Sequence, residues 1–517
     1  MIKINTLLTW GKRLLVTALV LSVTSVLFVN RELEKMYGGM VKQIDISLHM
    51  QKAEKIIVIE NVNVLSQRAD SMLPNRTVHI REGIIDTIGE SIPAPKESRI
   101  VNGTGKFLIP GLIDSHIHLW QSPNDLLLYL ANGITTVREL KGSDHHLDWR
   151  AEITSGKRPG PNLFVASTKL QSKDFFAGAF LRWTQGDIIQ TEPNEAIEVV
   201  KDLQTKGYDA VKIGSFLDEE NYLAVNASAK ELGMPVIGHF PLATRLDKLW
   251  TSNQTEVSHL EEFVKQLNRE FGRVNSQNKE AFLKLVAQRA PQIAQKLVEL
   301  DISVVTTLWL MESIPRQMGD IHDILEEVPL EYVNPGIAEG SFIAKGALGW
   351  LPEVNRYLTL SDEDETERAE DLAYFDTYVK ANQLLLRLFH ENGVTIMAGT
   401  DANVSAAVPG FSLHAELTSM NRCGMQPSDI LRSATSIPAQ RMNMNRGIVA
   451  KGFEADLVLL DQNPLEDISN TQSVTTVIRK DKIYDREDLN EMLTAVKEVN
   501  DQSRTQDISQ YELKHEH

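Results

Sequence analysis

Two histidines in one short apolar segment are the first residues of this chain that suggest chemistry. His116 and His118 form an H-x-H pair at the end of LIPGLIDSHIH. In a β-strand, residues two positions apart point to the same side, so both imidazoles can reach one divalent cation. A packed or solvated histidine pair is the simpler explanation when these two residues are considered alone.

Four further residues end similar segments: His239 in PVIGHF, His259 in EVSHL, Asp401 in TIMAGTDA and Lys212 in YDAVKIGS. A protonated lysine has no lone pair for a metal ion. A desolvated amine that captures CO2, however, becomes a carbamate with two anionic oxygens. Each residue alone has an ordinary structural explanation, such as an ion pair for Lys212. Together they predict a metal centre assembled at the ends of several strands.

Other reaction chemistries find no support in the sequence. Cys423 is the single cysteine, which excludes an internal disulfide, a thiolate zinc knuckle and an iron–sulfur site. No G-x-S-x-G elbow indicates a serine hydrolase, and no G-x-x-x-x-G-K-[ST] loop indicates an NTPase. Imidazole and carboxylate therefore remain as the main ligands for a metal.

Eight apolar segments between residues 108 and 445 alternate, mostly, with stretches long enough for a helix. They are LIPGLIDSHIH, GITTVRE, NLFVAST, YDAVKIGS, PVIGHF, EVSHL, ISVVTTLW and TIMAGTDA. This alternation predicts an α/β fold, a (β/α)8 TIM-like barrel with its chemistry at the carboxyl ends of the strands. The segment at about 310–394 is too long for a plain connection and is predicted to form a helical lid over the mouth of the barrel.

The regions on either side of the barrel share a different texture. Residues 54–107 and 446–487 contain β-branched, partly alternating runs such as IIVIENVNVL and ADLVLLD, which indicate strands. We expect both to build one small β-sandwich domain, into which the barrel is inserted. Residues 488–517 begin as a helical pattern and end in a polar tail.

The N-terminus carries a run of 16 uncharged residues, 14–29, after Lys3, Lys12 and Arg13. As a helix it would reach about 24 Å, short of the roughly 30 Å hydrocarbon core. Residues 1–30 are therefore predicted to be a signal anchor or a cleaved signal peptide, followed by a linker at 31–53. Both options place the rest of the chain on the exported side, in the periplasm or outside the cell, whereas a buried core helix would not.

Composition limits the partners. The 517 residues include 53 Lys and Arg against 70 Asp and Glu, a net charge of −17, which argues against a nucleic-acid-binding protein. Hydrophobic residues at 42% and charged residues at 24% are ordinary for a globular chain. The expected partners are a small-molecule or dipeptide substrate and, through the N-terminal segment, a membrane; a homo-oligomer is left open.

Residues 55–488 resemble the amidohydrolase superfamily, and within it the imidazolonepropionase-like and prolidase-like (Xaa-Pro dipeptidase-related) branch. The resemblance is carried by FLIPGLIDSHIHLW, ANGITTVRELKG, GYDAVKIG, PVIGHF, EVSHLEEF, AGTDANVSAAVPGFSLHAEL, ILRSATSIPAQ and GIVAKGFEADLVLLDQNPLEDI. It implies two divalent cations with the ligands His116, His118, Lys212, His239, His259 and Asp401. Zinc is the favoured metal for such ligands, with Mn, Co and Fe left open.

The resemblance also implies roles. His116, His118 and Asp401 would bind the more buried cation, His239 and His259 the second, and carboxylated Lys212 would bridge the two. Asp401 and His259 are the implied catalytic residues. A metal-activated hydroxide would attack an amide-type C–N bond, with Asp401 as the acid and base.

Three alternatives stay open. A cyclic-amide hydrolase of the mononuclear imidazolonepropionase type would lack the lysine ligand. A mononuclear deaminase would carry a glutamate soon after His239, where this chain has Phe240, Pro241 and Leu242. A membrane-tethered barrel without catalysis would keep only the fold. Arg138, at the end of the second strand, is predicted either to meet a substrate carboxylate or to form an ion pair.

Overall fold

The computed structural model describes residues 4–341, 348–359 and 365–511. In chain order the strands are β1 (Ile56–Leu65), β2 (Met72–Arg81), β3 (Ile84–Glu90), β4 (Arg99–Asn102), β5 (Phe107–Pro110), β6 (Leu112–Ile117), β7 (Ile134–Glu139), β8 (Asn162–Gln171), β9 (Ile188–Ile189), β10 (Ala210–Ile213), β11 (Val236–Gly238), β12 (Glu256–Val257), β13 (Ser303–Val305), β14 (Ile396–Met397), β15 (Asp456–Leu460), β16 (Val474–Arg479) and β17 (Lys482–Tyr484).

The helices between and around these strands are α1 (Ile4–Met36), α2 (Asp125–Ala131), α3 (Asp144–Thr154), α4 (Phe175–Gln185), α5 (Ala196–Lys206), α6 (Glu219–Leu232), α7 (Leu246–Ser252), α8 (Glu261–Phe271), α9 (Lys279–Glu299), α10 (Leu308–Gly319), α11 (Ile321–Glu327), α12 (Pro335–Glu339), α13 (Arg356–Thr359), α14 (Glu365–Glu391), α15 (Ser412–Arg422), α16 (Pro427–Ser433), α17 (Ser436–Arg441) and α18 (Arg486–Ser503).

The central part of the chain is TIM-barrel-like, and each of the eight predicted segments contains a strand. Strands β6, β7, β8, β10 and β11 form one parallel sheet, with β9 beside β8, and β12, β13 and β14 form a second. A few backbone hydrogen bonds join the sheets. Thr255 N to Val236 O (2.9 Å) and Ser258 N to Gly238 O (2.8 Å) lie at one join, and Ser115 N to Ala398 O (3.0 Å) and Asp401 N to His116 O (2.7 Å) lie at the other. The pairing is interrupted at both joins, so two curled sheets stand where an unbroken eight-strand ladder was predicted.

Burial explains why these short segments are strands. Every residue of β6 and β7 is buried, as parallel strands covered by helices on one side and by their own interior on the other require. Their apolar side chains join one large core with residues of α2, α9, α14 and α15. The strands therefore form a rigid base for the side chains at their carboxyl ends.

Both flanks of the barrel build one mixed sheet. Its order is β17-β16-β15-β5-β1-β2-β3, with β4 also paired to β1. The predicted β-sandwich is corrected here: all these strands lie in a single hydrogen-bonded sheet. The reason lies in β1, which pairs with β4 in its first half and with β5 in its second half. A register shift separates the halves, near Asn61 with its left-handed φ of 57°.

The long segment predicted as a lid is helical where it is described. It holds most of α10 and all of α11 to α14, while residues 342–347 and 360–364 lie outside the described part of the chain. Helix α14 packs along α9 and α10, so it belongs to the outer helical layer. Closure over the mouth stays a prediction.

Helix α1 is longer than the predicted segment 1–30. Its segment Trp10–Met36 has 27 residues, and the most apolar 18-residue window in it has a mean hydropathy of 1.9 and no buried residue. At 1.5 Å per residue this is about 40 Å, enough to cross a bilayer by length and composition. The predicted linker begins inside the helix, whose last turns reach α12 through an ion pair of Lys35 with Glu339 (3.6 Å).

Candidate metal centre

Three of the predicted ligands lie together at the mouth of the barrel. His116 is the fifth residue of β6, His259 comes just after β12, and Asp401 follows β14. Ligand atoms of these three buried residues all lie within 4.8 Å of one another. The carboxyl ends of three separate strands are thus joined by one cluster of potential metal ligands.

Asp401 connects this cluster to His118. Its Oδ1 lies 2.9 Å from His118 Nε2 and 3.2 Å from His116 Nε2. The backbone at Asp401 has a left-handed φ of 58°, a conformation that costs free energy in a residue other than glycine. The hydrogen bond from its N–H to the His116 carbonyl holds that turn in place.

His239 completes a row of imidazoles. Its ring stacks on that of His259 with 4.9 Å between the centroids, and the His259 centroid lies 4.5 Å from that of His116. Five predicted ligands therefore border one small volume: His116, His118, His239, His259 and Asp401.

The outer nitrogen of each ring has its own partner. His116 Nδ1 lies 3.1 Å from the Ser258 carbonyl, His259 Nδ1 lies 3.1 Å from Thr307 Oγ1, and His239 Nδ1 lies 3.1 Å from Glu262 Oε1. Such contacts fix the tautomer and the orientation of a ligating ring. Because His116 Nδ1 faces a carbonyl, it carries the proton, and Nε2 keeps the lone pair.

Lys212 lies on β10, and its register neighbour on β11 is two residues before His239. Its Nζ is buried and has no hydrogen-bond partner among the residues that the structure describes, and the same holds for His116 Nε2. Buried polar atoms without partners are costly and rare. The site thus offers neutral imidazoles, a carboxylate and an amine whose lone pairs are unused. These groups are suitable ligands for one or two divalent cations.

Electrostatics prepare these groups for ligation. Burial lowers the pKa of Lys212 to about 7, so a large fraction of its amine is neutral near physiological pH. Burial, and then the positive charge of Lys212, hold the pKa of His116 well below its usual value. Burial alone would raise the pKa of Asp401, but the hydrogen bond from His118 brings it below the usual range.

Several supporting residues escaped the sequence analysis. Glu139, the last residue of β7, accepts N–H groups from Leu119 and Lys141 and lies 3.6 Å from His118 Nδ1. Burial opposes its charge, but the charges of His146 and His118 bring the pKa of Glu139 to about 2. The position of Glu139 at a strand end could have identified it from the sequence. For Glu262 the available signal was the acidic pair, Glu261 and Glu262, soon after His259.

The structure decides between the two predictions for Arg138. Its Nη2 lies 2.8 Å from Glu256 Oε2, and both side chains are almost completely buried. Arg138 also lies over the ring of Phe164. The ion pair is the correct alternative and the contact with a substrate carboxylate the wrong one, because the guanidinium is buried against Glu256 inside the barrel.

A cavity of about 720 Å³ lies beside the centre. Trp120 lines it and connects it to the cluster, since its ring centroid is 5.1 Å from that of His118. On the other side Tyr37, just after α1, stacks on Trp120 at 5.0 Å. His145 and His146 each place Nε2 2.8 Å from the Trp120 carbonyl. The end of α1 is thus part of the cavity wall.

Comparison with known proteins agrees with this geometry. The model of the amidohydrolase family matches residues 107–484. A 5-methylthioadenosine/S-adenosylhomocysteine deaminase of Caldanaerobacter subterraneus subsp. tengcongensis is 38% identical over 66 residues, 13% of this chain and 15% of that protein. The chain spans 15% to 33% of the length of this and similar curated relatives.

Solved structures match over much more of the chain. A bottromycin amidohydrolase has a TM-score of 0.65 at 19% identity, covering 90% of this chain and 96% of that one. A Xaa-Pro dipeptidase with bound methionine has a TM-score of 0.59 at 19% identity, covering 83% and 100%. The fold is that of prolidase-like amidohydrolases, and since the family model covers well over half of the sequence, the chain belongs to the amidohydrolase family.

Proposed function

We propose that the protein is a metal-dependent hydrolase of an amide-type C–N bond that uses two divalent cations. The observation that carries the proposal is the Lys212 amine, which is buried without a hydrogen-bond partner beside the His116, His259 and Asp401 cluster. In a mononuclear centre of the imidazolonepropionase type, this amine would not be a metal ligand. As a carbamate it would supply the anionic oxygens that a second cation requires.

Carboxylation of Lys212 balances chemically. The neutral amine attacks CO2, an N–C bond forms, and one proton leaves to solvent, which leaves a carbamate with one negative charge. The pKa of Lys212, lowered to about 7 by burial, makes the neutral amine available. Asp401, His239 and His259 lie close enough to interact electrostatically with this amine.

Asp401 is the proposed proton carrier. Bound divalent cations polarise a scissile carbonyl and make a water molecule more acidic. The Asp401 carboxylate, ionised because His118 lowers its pKa, accepts the proton of the attacking water and passes it to the leaving nitrogen. Thr307 fixes the ring of His259, so that His259 presents Nε2 to the centre as a ligand.

The proposed substrates are small amides, including dipeptides. The similarity in fold to a Xaa-Pro dipeptidase and to a bottromycin amidohydrolase supports this class. Hydrolytic deamination is the second candidate, because a relative that matches part of the sequence carries that name. The two differ in the leaving group: a deaminase releases ammonia, whereas a peptidase releases an amino acid.

A metal and carbamate measurement tests the centre. We expect about two equivalents of metal per chain, and a carbamate resonance after incubation with carbon-13 bicarbonate. Lys212→Ala should lose the resonance and part of the metal. Lys169→Ala is the matched control, since Lys169 is the register partner of Lys212 on β8. A single equivalent of metal that is unchanged in Lys212→Ala would overturn the two-metal proposal.

A substrate panel tests the reaction. Dipeptides, N-acyl amino acids, cyclic amides and adenosine derivatives are supplied to the zinc, manganese and cobalt forms. We expect cleavage of one of the open-chain amides and no ammonia release from adenosines. Ammonia release alone would favour the deaminase, and turnover of the cyclic amide alone would favour the mononuclear imidazolonepropionase type.

For location, we propose that α1 stays in the mature protein as an anchor and that the barrel lies on the exported side. Its last turns contact the barrel through Asn30 to Trp183 (2.8 Å) and Glu32 to Ser341 (2.7 Å). Cleavage near residue 30 would remove the first of these contacts. Retention of the chain in the membrane after an alkaline wash, with an intact N-terminus by mass spectrometry, is the expected result.

A further inference from the structure

Exposed aromatic side chains gather at one end of the barrel. Among the described residues after α1, the exposed Phe and Trp side chains are Phe175 (81%), Phe176 (82%), Phe180 (57%), Trp183 (45%) and Phe216 (52%). Four of them lie on α4, which follows β8, and Phe216 follows β10. All five therefore extend from the carboxyl ends of strands, the end that holds the candidate metal centre.

Helix α4 presents this aromatic face because its other face is packed. Gly178 lies against Ile189, and a Cβ at that glycine would come within 3.1 Å of Ile189 Cγ2. Thr184 is also buried. The Asp174 side chain caps the helix by accepting the N–H groups of Phe176 and Ala177, each at 3.0 Å. The aromatic residues are thus held outward by a well-formed helix.

The aromatic face continues the surface of α1. Trp183 Nε1 donates to Asn30 Oδ1 at 2.8 Å, and the Tyr37 hydroxyl donates to the Thr184 carbonyl at 3.1 Å. Helix α4 therefore touches the last turns of α1, which is the one helix among the described residues that is long and apolar enough to cross a bilayer. Because Asn30 directly follows the uncharged run at 14–29, this run ends beside Trp183 on α4.

The charges near this face suit a lipid surface. Lys173 Nζ lies 4.0 Å from the centroid of the Phe216 ring, and Arg182 lies in the last turn of α4. Aromatic rings are enriched at the level of lipid head groups, and basic side chains beside them are attracted to anionic lipids. A purely apolar contact with another protein would not require the cations Lys173 and Arg182 beside the aromatic rings.

We propose that α4 and Phe216 form a membrane-contact surface that lies on the bilayer crossed by α1. This inference rests on the proposed anchorage and adds an orientation to it. The mouth of the barrel, with the cavity beside Trp120, then faces the lipid head groups. A substrate reaches the centre from the membrane surface, which favours amides that carry an apolar chain over fully hydrophilic dipeptides.

The orientation can be measured with a nitroxide label on the full chain. The label is attached to Phe176→Cys in a Cys423→Ser background, which removes the single native cysteine. The matched control is Val298→Cys, an exposed apolar position near the end of α9, just before β13 begins. Both proteins are placed in liposomes of phosphatidylcholine and phosphatidylglycerol, and collisions with oxygen and with a water-soluble nickel chelate are compared.

The measured quantity is the ratio of the collision rate with oxygen to the collision rate with nickel. If the surface contacts lipid, we expect this ratio to be at least about tenfold higher for the label at 176 than for the label at 298. Equal exposure of both labels to nickel, in a chain that floats with the liposomes, would overturn the contact surface and leave anchorage standing. Failure to float would overturn both. Spin–spin broadening at 176 that disappears on dilution with unlabelled chain would assign the face to a second copy and also overturn the proposal.

Discussion

The two ends of the barrel hold buried carboxylates in opposite ways. Where the strands begin, Asp456 accepts hydrogen bonds from Asn162 (2.7 Å), Arg446 (2.7 Å) and Arg479 (3.4 Å). Where the strands end, the Asp401 carboxylate lies among groups that include an unpaired amine, that of Lys212. The first charge is neutralised by cations of the chain itself, whereas the second lies beside an amine for which the described residues provide no hydrogen-bond partner. The same degree of burial thus supports stability at one end and chemistry at the other.

Removing the charge at the mouth should give the largest effect. Asp401→Asn keeps the size of the side chain but cannot carry the proton, so we expect turnover to fall roughly 10³-fold. The melting temperature should fall less than in a variant of Asp456, because the partners of Asp401 are the imidazoles of His118 and His116, whereas Asp456 pairs with two permanent arginine cations. Steady-state rates on the substrate found by the panel, together with calorimetry, measure both. Activity near that of the native chain would break the comparison.

Removing the charge at the other end should do the reverse. Asp456→Asn leaves the buried cations Arg446 and Arg479 without their shared carboxylate, a loss of about 3–5 kcal/mol in the free energy of unfolding. The turnover number of the folded fraction should stay within about twofold, since these residues lie far from the reacting atoms along the barrel. Urea titration followed by single-temperature kinetics separates the two effects. A variant that is stable but inactive would contradict the assignment of Asp456 to stability.

A third buried carboxylate has neither a cation nor a metal cluster. Glu416 accepts the N–H groups of Leu308 (2.9 Å) and Trp309 (2.6 Å) at the start of α10, and burial raises its pKa to about 7. Because this pKa exceeds the unfolded value, the folded state favours the protonated form. The contribution of Glu416 to stability is therefore complete below about pH 4.5 and falls by about 3 kcal/mol as the pH rises to 7.

The Glu416→Gln variant sharpens this point, because glutamine does not titrate. We expect the difference in unfolding free energy between the native chain and the variant to shift in favour of the variant between pH 5 and pH 8. Urea titrations at both values, with the metal content held constant, provide the measurement. A difference that does not vary with pH would show that Glu416 ionises normally.

The smallest effect should come from a residue that only orients a ligand. Glu262→Gln weakens the contact with His239 Nδ1, and such outer contacts alter metal affinity by about 10–100-fold. Glu261→Gln is the matched control, since Glu261 contacts Lys265 and Tyr378. Competition with a metal chelator measures the affinity of each variant. If both variants lose affinity equally, Glu262 acts through local charge and not by orienting the ring.

The structure has a strand in each predicted barrel segment, and the six predicted site residues lie on or just after these strands, because each signal is local. A buried parallel strand is a short apolar run, and a ligand such as His116 or Asp401 ends that run. The partners of the ligands are a different matter, because Glu262 and Thr307 depend on which way a helix or turn faces. The pairing of Arg138 with Glu256 likewise brings together β7 and β12, which no local pattern connects.

The departures in the flanking regions have similar causes. The single sheet depends on β1 changing neighbours halfway along its length, and nothing in IIVIENVNVL indicates that change. The extension of α1 beyond residue 30 passes through Arg31, Glu32, Glu34 and Lys35, where a linker was predicted. The barrel and α12 provide partners for some of these charges, and that contact can be recognised only after folding.

The aromatic stack at the base of α1 has a mechanical consequence. Tyr37 rests on Trp120, and Trp120 packs beside the ring of His118. A transmembrane helix tilts until its apolar length matches the thickness of the surrounding hydrocarbon. For an anchored chain, lipids with longer or shorter acyl chains would thus change the angle at which α1 meets Tyr37. Membrane thickness then acts on the position of a candidate metal ligand, and the lipid composition becomes a physical input to the reaction.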